Sequence, residues 1–322
     1  MKSKLLPALL IMGIFISLQV QAQPVKKHGQ LSVKGTQLTD EHGNATILNG
    51  VSYGWHNWWP RFYNKESVKW LASDWKCSVV RAAMGVEPKS GYIDKPDWSK
   101  EKIEAVIRGA IESDIYVLID WHSHSVKLDE AKVFFAEMAR KYGNTPHVIY
   151  ELFNEPVKDS WPVIKDYSIE LIKTIRAIDP DNVILVGSPH WDQDIHIVAD
   201  DPITGYNNIM YTCHFYAATH GKSLRDRCDY AIKKGIPLFI SESAGMEASG
   251  NGPINYAEWQ SWIDWCKTNK ISLITWSVAD KNESCSMFKT TAASEGKWKE
   301  TDMNESGIKT RELLIRQAKE NE

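Results

Sequence analysis

Eight short apolar runs, alternating with stretches of helical periodicity, constrain the fold of this chain more than any other feature of its sequence. The runs fall at 47–51, 78–82, 116–120, 148–153, 183–186, 209–214, 238–241 and 273–276. Amphipathic segments lie at 67–73, 100–113, 130–141, 163–178, 223–233, 256–268 and 308–319. A near-continuous apolar strand has no solvent face, so it must be buried on both sides, as in a parallel sheet. An amphipathic helix after each strand supplies the covering layer. Eight such units close into a (β/α)8 TIM barrel of about 250 residues. A doubly wound open sheet would place a glycine-rich phosphate loop after its first strand, and none follows 47–51. The segment 30–46, with turns at Gly35 and at His42-Gly43-Asn44, reads as a hairpin closing the barrel floor.

The first residues belong to export rather than to the fold. Met1-Lys2-Ser3-Lys4 is basic, the 16 residues from Leu5 to Val20 are almost wholly apolar, and Val20-Gln21-Ala22 offers small residues for cleavage. A spanning helix needs about 20 apolar residues, so 1–22 is expected to be a signal peptide and the mature chain a secreted one. That leaves 23–322 as a single catalytic domain, with no Pro/Gly/Ser-rich linker to divide it. A net charge of −3 without a long basic run argues against nucleic acid and, after signal cleavage, against a membrane as partner. A monomer is expected. The five cysteines are scattered, and whether Cys213 and Cys228 pair stays open. Fourteen tryptophans are many for this length; Trp70, Trp75, Trp262 and Trp265 fall in helical patterns and are expected to pack in the core, leaving others to stack on sugar rings.

Functional groups of a parallel barrel gather at the C-terminal ends of its strands. Read there, the chain presents Trp55, Trp58 and Trp59, then Arg81, then Asp120-Trp121-His122-Ser123-His124, then Asn154-Glu155-Pro156. His190-Trp191, His214-Phe215-Tyr216, Glu242, and Trp276 with Asp280, Lys281 and Glu283 complete the ring. Glu155 and Glu242, on the fourth and seventh strands, face each other across the mouth. Glycosidic cleavage requires such a pair: one carboxyl protonates the leaving oxygen, and the other attacks the anomeric carbon or activates a water. A separation of about 5–5.5 Å gives retention and about 6.5–9.5 Å inversion, and the sequence leaves both open. A nucleophile must stay ionised, and Arg81 and Tyr216 are positioned to serve Glu242. The general acid must keep its proton, so Glu155 is expected to have a raised pKa, with Asn154 donating to a sugar 2-hydroxyl. His122-Ser123-His124 admits a metal reading only with further ligands, so neither metal nor other cofactor is expected.

Several segments carry a resemblance to a known family. Asn154-Glu155-Pro156, Asp120-Trp121-His122, the stretch from Pro237 to Glu242, Val79-Val80-Arg81-Ala82-Ala83-Met84-Gly85-Val86 and Trp276-Ser277-Val278-Ala279-Asp280-Lys281-Asn282-Glu283 resemble glycoside hydrolase family 5, and within it the bacterial endoglucanase subfamily 2. The resemblance runs from about Gly29 to Arg316. It implies a retaining endo-β-1,4-glucanase with Glu155 as acid/base and Glu242 as nucleophile. It also implies that Arg81, His122, Asn154, His214 and Tyr216 surround the sugar being cleaved, and that Trp276 floors that subsite. Trp58 would stack on the next glucose toward the non-reducing end, where Lys281 and Glu283 bind hydroxyls, and Trp191 would be a platform on the leaving-group side. One departure is Ser241-Glu242-Ser243, where the family carries an aromatic residue after the nucleophile; the smaller Ser243 is expected to open the pocket floor. A β-mannanase, a xyloglucanase or a mixed-linkage glucanase would share both glutamates, and a non-catalytic sugar-binding barrel would share the fold.

Overall fold

The computed structural model describes residues 23–320, so the expected signal at 1–22 lies outside the described residues. Among the described residues, ten strands form two sheets. β1 (Ser32–Lys34) and β2 (Gln37–Thr39) make an antiparallel hairpin with Ser32 opposite Thr39. The other eight are β3 (Asn49–Tyr53), β4 (Val79–Gly85), β5 (Tyr116–His122), β6 (Val148–Glu151), β7 (Ile184–Val186), β8 (Ile209–Tyr216), β9 (Leu238–Ala244) and β10 (Leu273–Val278). They pair in parallel, in chain order, and β10 closes on β3. The barrel is the expected one.

The two larger of three apolar clusters hold it. The larger lies between strands and helices, where Val80, Ala82, Val117, Ile119, Ile184, Val186 and Ile240 meet the buried faces of the helical layer. The main helices are α2 (Lys65–Ser73), α3 (Pro96–Glu112), α4 (Leu128–Tyr142), α5 (Trp161–Arg176), α8 (Lys222–Lys233), α9 (Tyr256–Asn269) and α10 (Glu305–Glu320). Their starts follow from local chemistry. Asn64 caps α2 by accepting from Ser67 N at 2.9 Å, Asn255 caps α9, and proline fills the first turn of α3 and α5, where a missing N–H costs nothing. The four helical tryptophans pack as expected. Trp75 and Trp262 are fully buried, Trp70 and Trp265 pack against the same cluster, and Trp262 stacks on Phe215 at 4.1 Å.

The smaller cluster fills the lower barrel. Val79, Leu118, Ile149, Leu185, Met210, Phe239 and Ile274 point inward and meet Leu31, Leu38 and Leu48. The hairpin therefore seals the floor, as the sequence predicts, with Val25 of α1 (Pro24–His28) beside it. Among the elements that escape the sequence pattern are a turn α6 at Pro189–Asp192, with His190, Trp191 and Asp192 all at positive φ, and the short helix α7 (Ile195–Asp200). All five cysteines are buried thiols, and the Cys213 and Cys228 sulfurs lie 3.4 Å apart without a bond.

Strand packing is tightest where β3 meets β4. Gly50 pairs with Val79, and a Cβ on Gly50 would lie 1.8 Å from the Val79 carbonyl oxygen. Backbone cannot move aside as a side chain can. Gly50→Ala is therefore expected to cost about 3 kcal/mol or more, read as a lower urea midpoint at unchanged slope.

Candidate active site

The upper barrel is polar, and Arg81 organises it. This residue of β4 is fully buried and reaches three carboxylates. Its Nε donates to Glu151 Oε2 at 2.6 Å, its Nη1 to Glu242 Oε2 at 2.9 Å, and its Nη2 lies 3.0 Å from Asp120 Oδ2. Nη2 also donates to Asn154 Oδ1 at 2.7 Å. A guanidinium offers five N–H groups in a planar fork, so it suits several acceptors at once. The resemblance places Arg81 against the sugar, whereas the structure buries it beneath the cleft, where it acts on Glu242 and Asn154. By holding Asn154 Oδ1, it leaves the amide NH2 as the end that can donate to a ligand.

Around this hub each carboxylate has its own partners. Burial first, and then the charge of Glu151, push Asp120 well above the ordinary range against the pull of Arg81. Burial also works upward on Glu151, but Arg81 and His214 outweigh it and hold Glu151 low. Glu242, on β9, accepts from Tyr216 Oη at 2.7 Å. Burial and the negative charge of Glu155 raise its pKa, with Arg81 and Tyr216 opposing. Glu155 has a histidine at each oxygen: His214 Nδ1 lies 3.0 Å from Oε1, and His124 Nε2 lies 3.3 Å from Oε2. Burial acts upward here too, but the hydrogen bonds and charges of His124 and His214 bring Glu155 down to about 2. The expected order is thus reversed in the free site, because both groups lowering Glu155 are imidazoles that the sequence does not place beside it.

His214 is held from below. Its Nε2 lies 2.9 Å from Ser241 Oγ and 3.4 Å from Asp192 Oδ2. Burial disfavours a charged ring, but Asp192, Glu151 and Glu155 surround it and raise its pKa well above the ordinary value. Asp192 is itself locked by Thr212 Oγ1 at 2.7 Å. His122 is the opposite case: burial and then Arg81 hold it well below the ordinary value, so it is neutral, with Nδ1 2.6 Å from Asp120.

The cleft above has two lobes that meet at Glu155. One, of about 150 Å³, is lined by Trp55, Trp58, His122, Glu242, Trp276, Lys281 and Glu283. The other, of about 510 Å³, is lined by His190, Trp191, Gln193, His214 and His220. Glu155, Tyr216 and His124 border both. Trp276 lies flat against His122, with ring centroids 5.3 Å apart and planes 6° from parallel, while Trp58 is exposed beside Trp55. Lys281 and Glu283 form an ion pair at the rim. The structure thus gathers every residue expected at the site, with Arg81 and Asn154 beneath it. Ser243 does not open the floor: it is buried and donates to Ile274 O at 2.8 Å, away from the cleft. Sequence reading missed Glu151, Ser241 and Asp192. A glutamate inside an apolar barrel strand must be paired, and that was the available signal for Glu151.

An oxygen of Glu155, an oxygen of Glu242 and a nitrogen of His214 all lie within 4.8 Å of one another. Distance alone would let this trio share a cation, but Ser241, Tyr216, Arg81 and the two histidines already engage its atoms. His122 and His124 do not converge as a ligand pair, since one turns to Asp120 and the other to Glu155.

An eight-stranded parallel barrel with two opposed glutamates in an aromatic cleft defines a glycosidase scaffold. The chain belongs to the cellulase family, glycosyl hydrolase family 5, whose model matches residues 39–282. It is 43% identical over 287 residues to an endoglucanase of Clostridium saccharobutylicum, covering 87% of this chain and 64% of that one. It is 44% identical over 269 residues to endoglucanase Z of Dickeya dadantii, covering 83% and 62%. The chain therefore spans about three fifths of the length of these curated relatives. A solved structure from Cytophaga hutchinsonii superposes with a TM-score of 0.90 at 43% identity, covering 92% of this chain and 98% of that one. The catalytic domain of a Thermobifida fusca endoglucanase superposes with a TM-score of 0.86 at 33% identity, covering 91% and 100%.

Arg81 carries a prediction about stability. Removing one partner of a buried ion pair leaves the others uncompensated, at about 3–5 kcal/mol. Glu151, held low when folded, contributes stability above the ordinary carboxylate range and loses it as pH falls through the depressed value. Without Arg81 burial dominates, the folded pKa rises above the unfolded one, and stability is instead lost as pH rises. Arg81→Met is thus expected to be most destabilised near pH 8 and least near pH 4, read from urea midpoints across that range.

Proposed function

We propose that this chain is an endo-β-1,4-glucanase that cuts internal bonds of a β-1,4-glucan with retention of configuration. The observation that carries retention is the approach of Glu155 and Glu242 oxygens to within 4.8 Å, which leaves no room for a water between them and the sugar. In the first step Glu242 attacks the anomeric carbon. The glycosidic C–O bond breaks, and the proton from Glu155 goes to the departing oxygen. In the second step Glu155 takes a proton from water, the water oxygen bonds to the anomeric carbon, and the ester to Glu242 breaks. Glu155 sits where the two lobes meet, as a group that must reach the bond between two sugars. His122, Asn154, Tyr216 and Trp276 would hold the sugar being cleaved, Trp58, Lys281 and Glu283 its non-reducing neighbour, and Trp191 the leaving group.

The low Glu155 of the free site is reconciled with an acid role by counting protons. Glu151 is held as a carboxylate, so the Ser241 hydroxyl donates to it, at 2.6 Å. Ser241 Oγ can then only accept from His214, so His214 Nε2 carries a hydrogen. One further proton remains, shared between His214 Nδ1 and Glu155 Oε1 across 3.0 Å. It rests on the ring in the free site and is available to the carboxyl when a sugar oxygen enters. Its transfer to Glu155 neutralises the charge that raises Glu242 and also removes the weaker opposing charge of His214, so on balance the nucleophile becomes a better anion as the acid is loaded.

We further propose that residues 1–22 are a cleaved export signal, that 23–322 form the catalytic domain, and that the mature chain is secreted and acts as a monomer. No helix among the described residues is long and apolar enough to cross a membrane. Nucleic acid is not a proposed partner.

The test is reducing-sugar release from soluble carboxymethyl-cellulose. Glu155→Gln should lose about 10²–10⁴-fold and Glu242→Gln about 10⁴-fold or more. Mannan cut much faster than the cellulose derivative would move the substrate. No release from any β-glucan would leave a binding barrel. Azide separates the two glutamates. It should yield a glycosyl azide of inverted configuration with Glu242→Ala and of retained configuration with Glu155→Ala. The opposite pattern would exchange their roles.

A further inference from the structure

The proposed reaction leaves His124, which touches Glu155, without a role. His124 follows the end of β5 and borders both lobes of the cleft. Its place is built rather than incidental. Glu87 Oε1 accepts from His124 N at 3.3 Å, Ser125 N at 3.2 Å and Ser125 Oγ at 2.8 Å, and also from Ser123 Oγ. One carboxylate thus pins the whole 123–125 segment. Trp55 meets the imidazole edge-on, with centroids 5.5 Å apart. The ring so held puts Nε2 3.3 Å from Glu155 Oε2.

The two oxygens of Glu155 therefore have different keepers. Oε1 faces His214, which is buried and tied into the Ser241–Glu151 chain. Oε2 faces His124, whose side chain is 43% exposed. Only the second partner is exposed enough to exchange protons freely with solvent. Resting on the reading of Glu155 as acid/base, we propose that His124 is a positioning residue that sets the proton affinity of Glu155 through Oε2. As a donor it favours the carboxylate, which is the form that must regenerate after the first step to act as base in the second. It thereby fixes the upper pH limit of the enzyme. The charged groups facing Glu155 are His124, His214 and Glu242. Those facing His124 are Glu155, Glu87 and Glu242, which together favour its charged form. His122 is close by, at 6.4 Å between centroids, but neutral.

The test is the pH dependence of kcat/KM on cellopentaose, a substrate with no titrating group, from pH 4 to 10. Compared are the wild type, His124→Leu, His124→Gln and Glu155→Gln. Loss of the donor and its charge should move the alkaline limb of His124→Leu upward by about one pH unit, and the acid limb upward by less, since Glu242 feels the same charge without the hydrogen bond. His124→Gln keeps a donor without the charge and should fall between. Thermal melts of both variants check that the fold is intact. Superimposable alkaline limbs in wild type and His124→Leu, or a change in KM alone, would overturn the assignment and leave His124 as lining. The failure of the underlying reading looks different: Glu155→Gln would keep nearly wild-type kcat/KM.

Discussion

The polar half of this barrel depends on one buried cation. Arg81 touches Asp120, Glu151 and Glu242, and its charge opposes the cost of burial at all three, holding Glu151 low and limiting the rise at Asp120 and Glu242. Burying an ion pair is costly, and an apolar core of equal volume would commonly be as stable. What the arrangement provides is placement. A planar fork fixes three acceptors relative to one another, so the orientation of Glu242 and the outward turn of Asn154 are set before any substrate arrives. The apolar lower half, sealed by the hairpin, supplies the rigid frame on which that fork is mounted.

A second chain of hydrogen bonds runs from the same hub to the opposite glutamate. Glu151 accepts from Arg81 and from Ser241, Ser241 accepts from His214, and His214 meets Glu155. The two glutamates are thus tied to one guanidinium by unlike routes. Glu242 is bound to it directly, and Glu155 is bound through groups that can carry or release a proton. That difference distinguishes the two glutamates more firmly than burial does, since both carboxyls are shielded from bulk water, and it is what the proposed division into acid and nucleophile rests on.

How much of this was legible in the sequence follows from what each signal measures. The barrel was legible because all eight strands announce themselves as apolar runs, and the hairpin because turn residues bracket it. Strand ends were not. β4, β5, β8 and β9 continue to Gly85, His122, Tyr216 and Ala244, beyond the runs that end at 82, 120, 214 and 241. Polar side chains are tolerated there because partners across the barrel satisfy them, and pairing across a barrel leaves no local mark. Glu155 and Glu242 were found by strand-end position. Glu151 was hidden inside a strand, and Asp192 sits in a left-handed turn that no periodicity describes.

The reversed pKa order has the same origin. A sequence reading can assign a cation to Glu242, since Arg81 carries its charge at any relevant pH. It cannot assign the state of Glu155, whose partners come from β8 and from the loop after β5 and titrate themselves. A permanent cation stabilises an anion at every stage of a reaction. A histidine does so only while it holds the proton, and on the proposed roles that proton is the one the leaving oxygen needs. On the same proposal the permanent charge sits on the attacking glutamate and the exchangeable ones on the glutamate that changes state twice per cycle, the arrangement a double displacement requires.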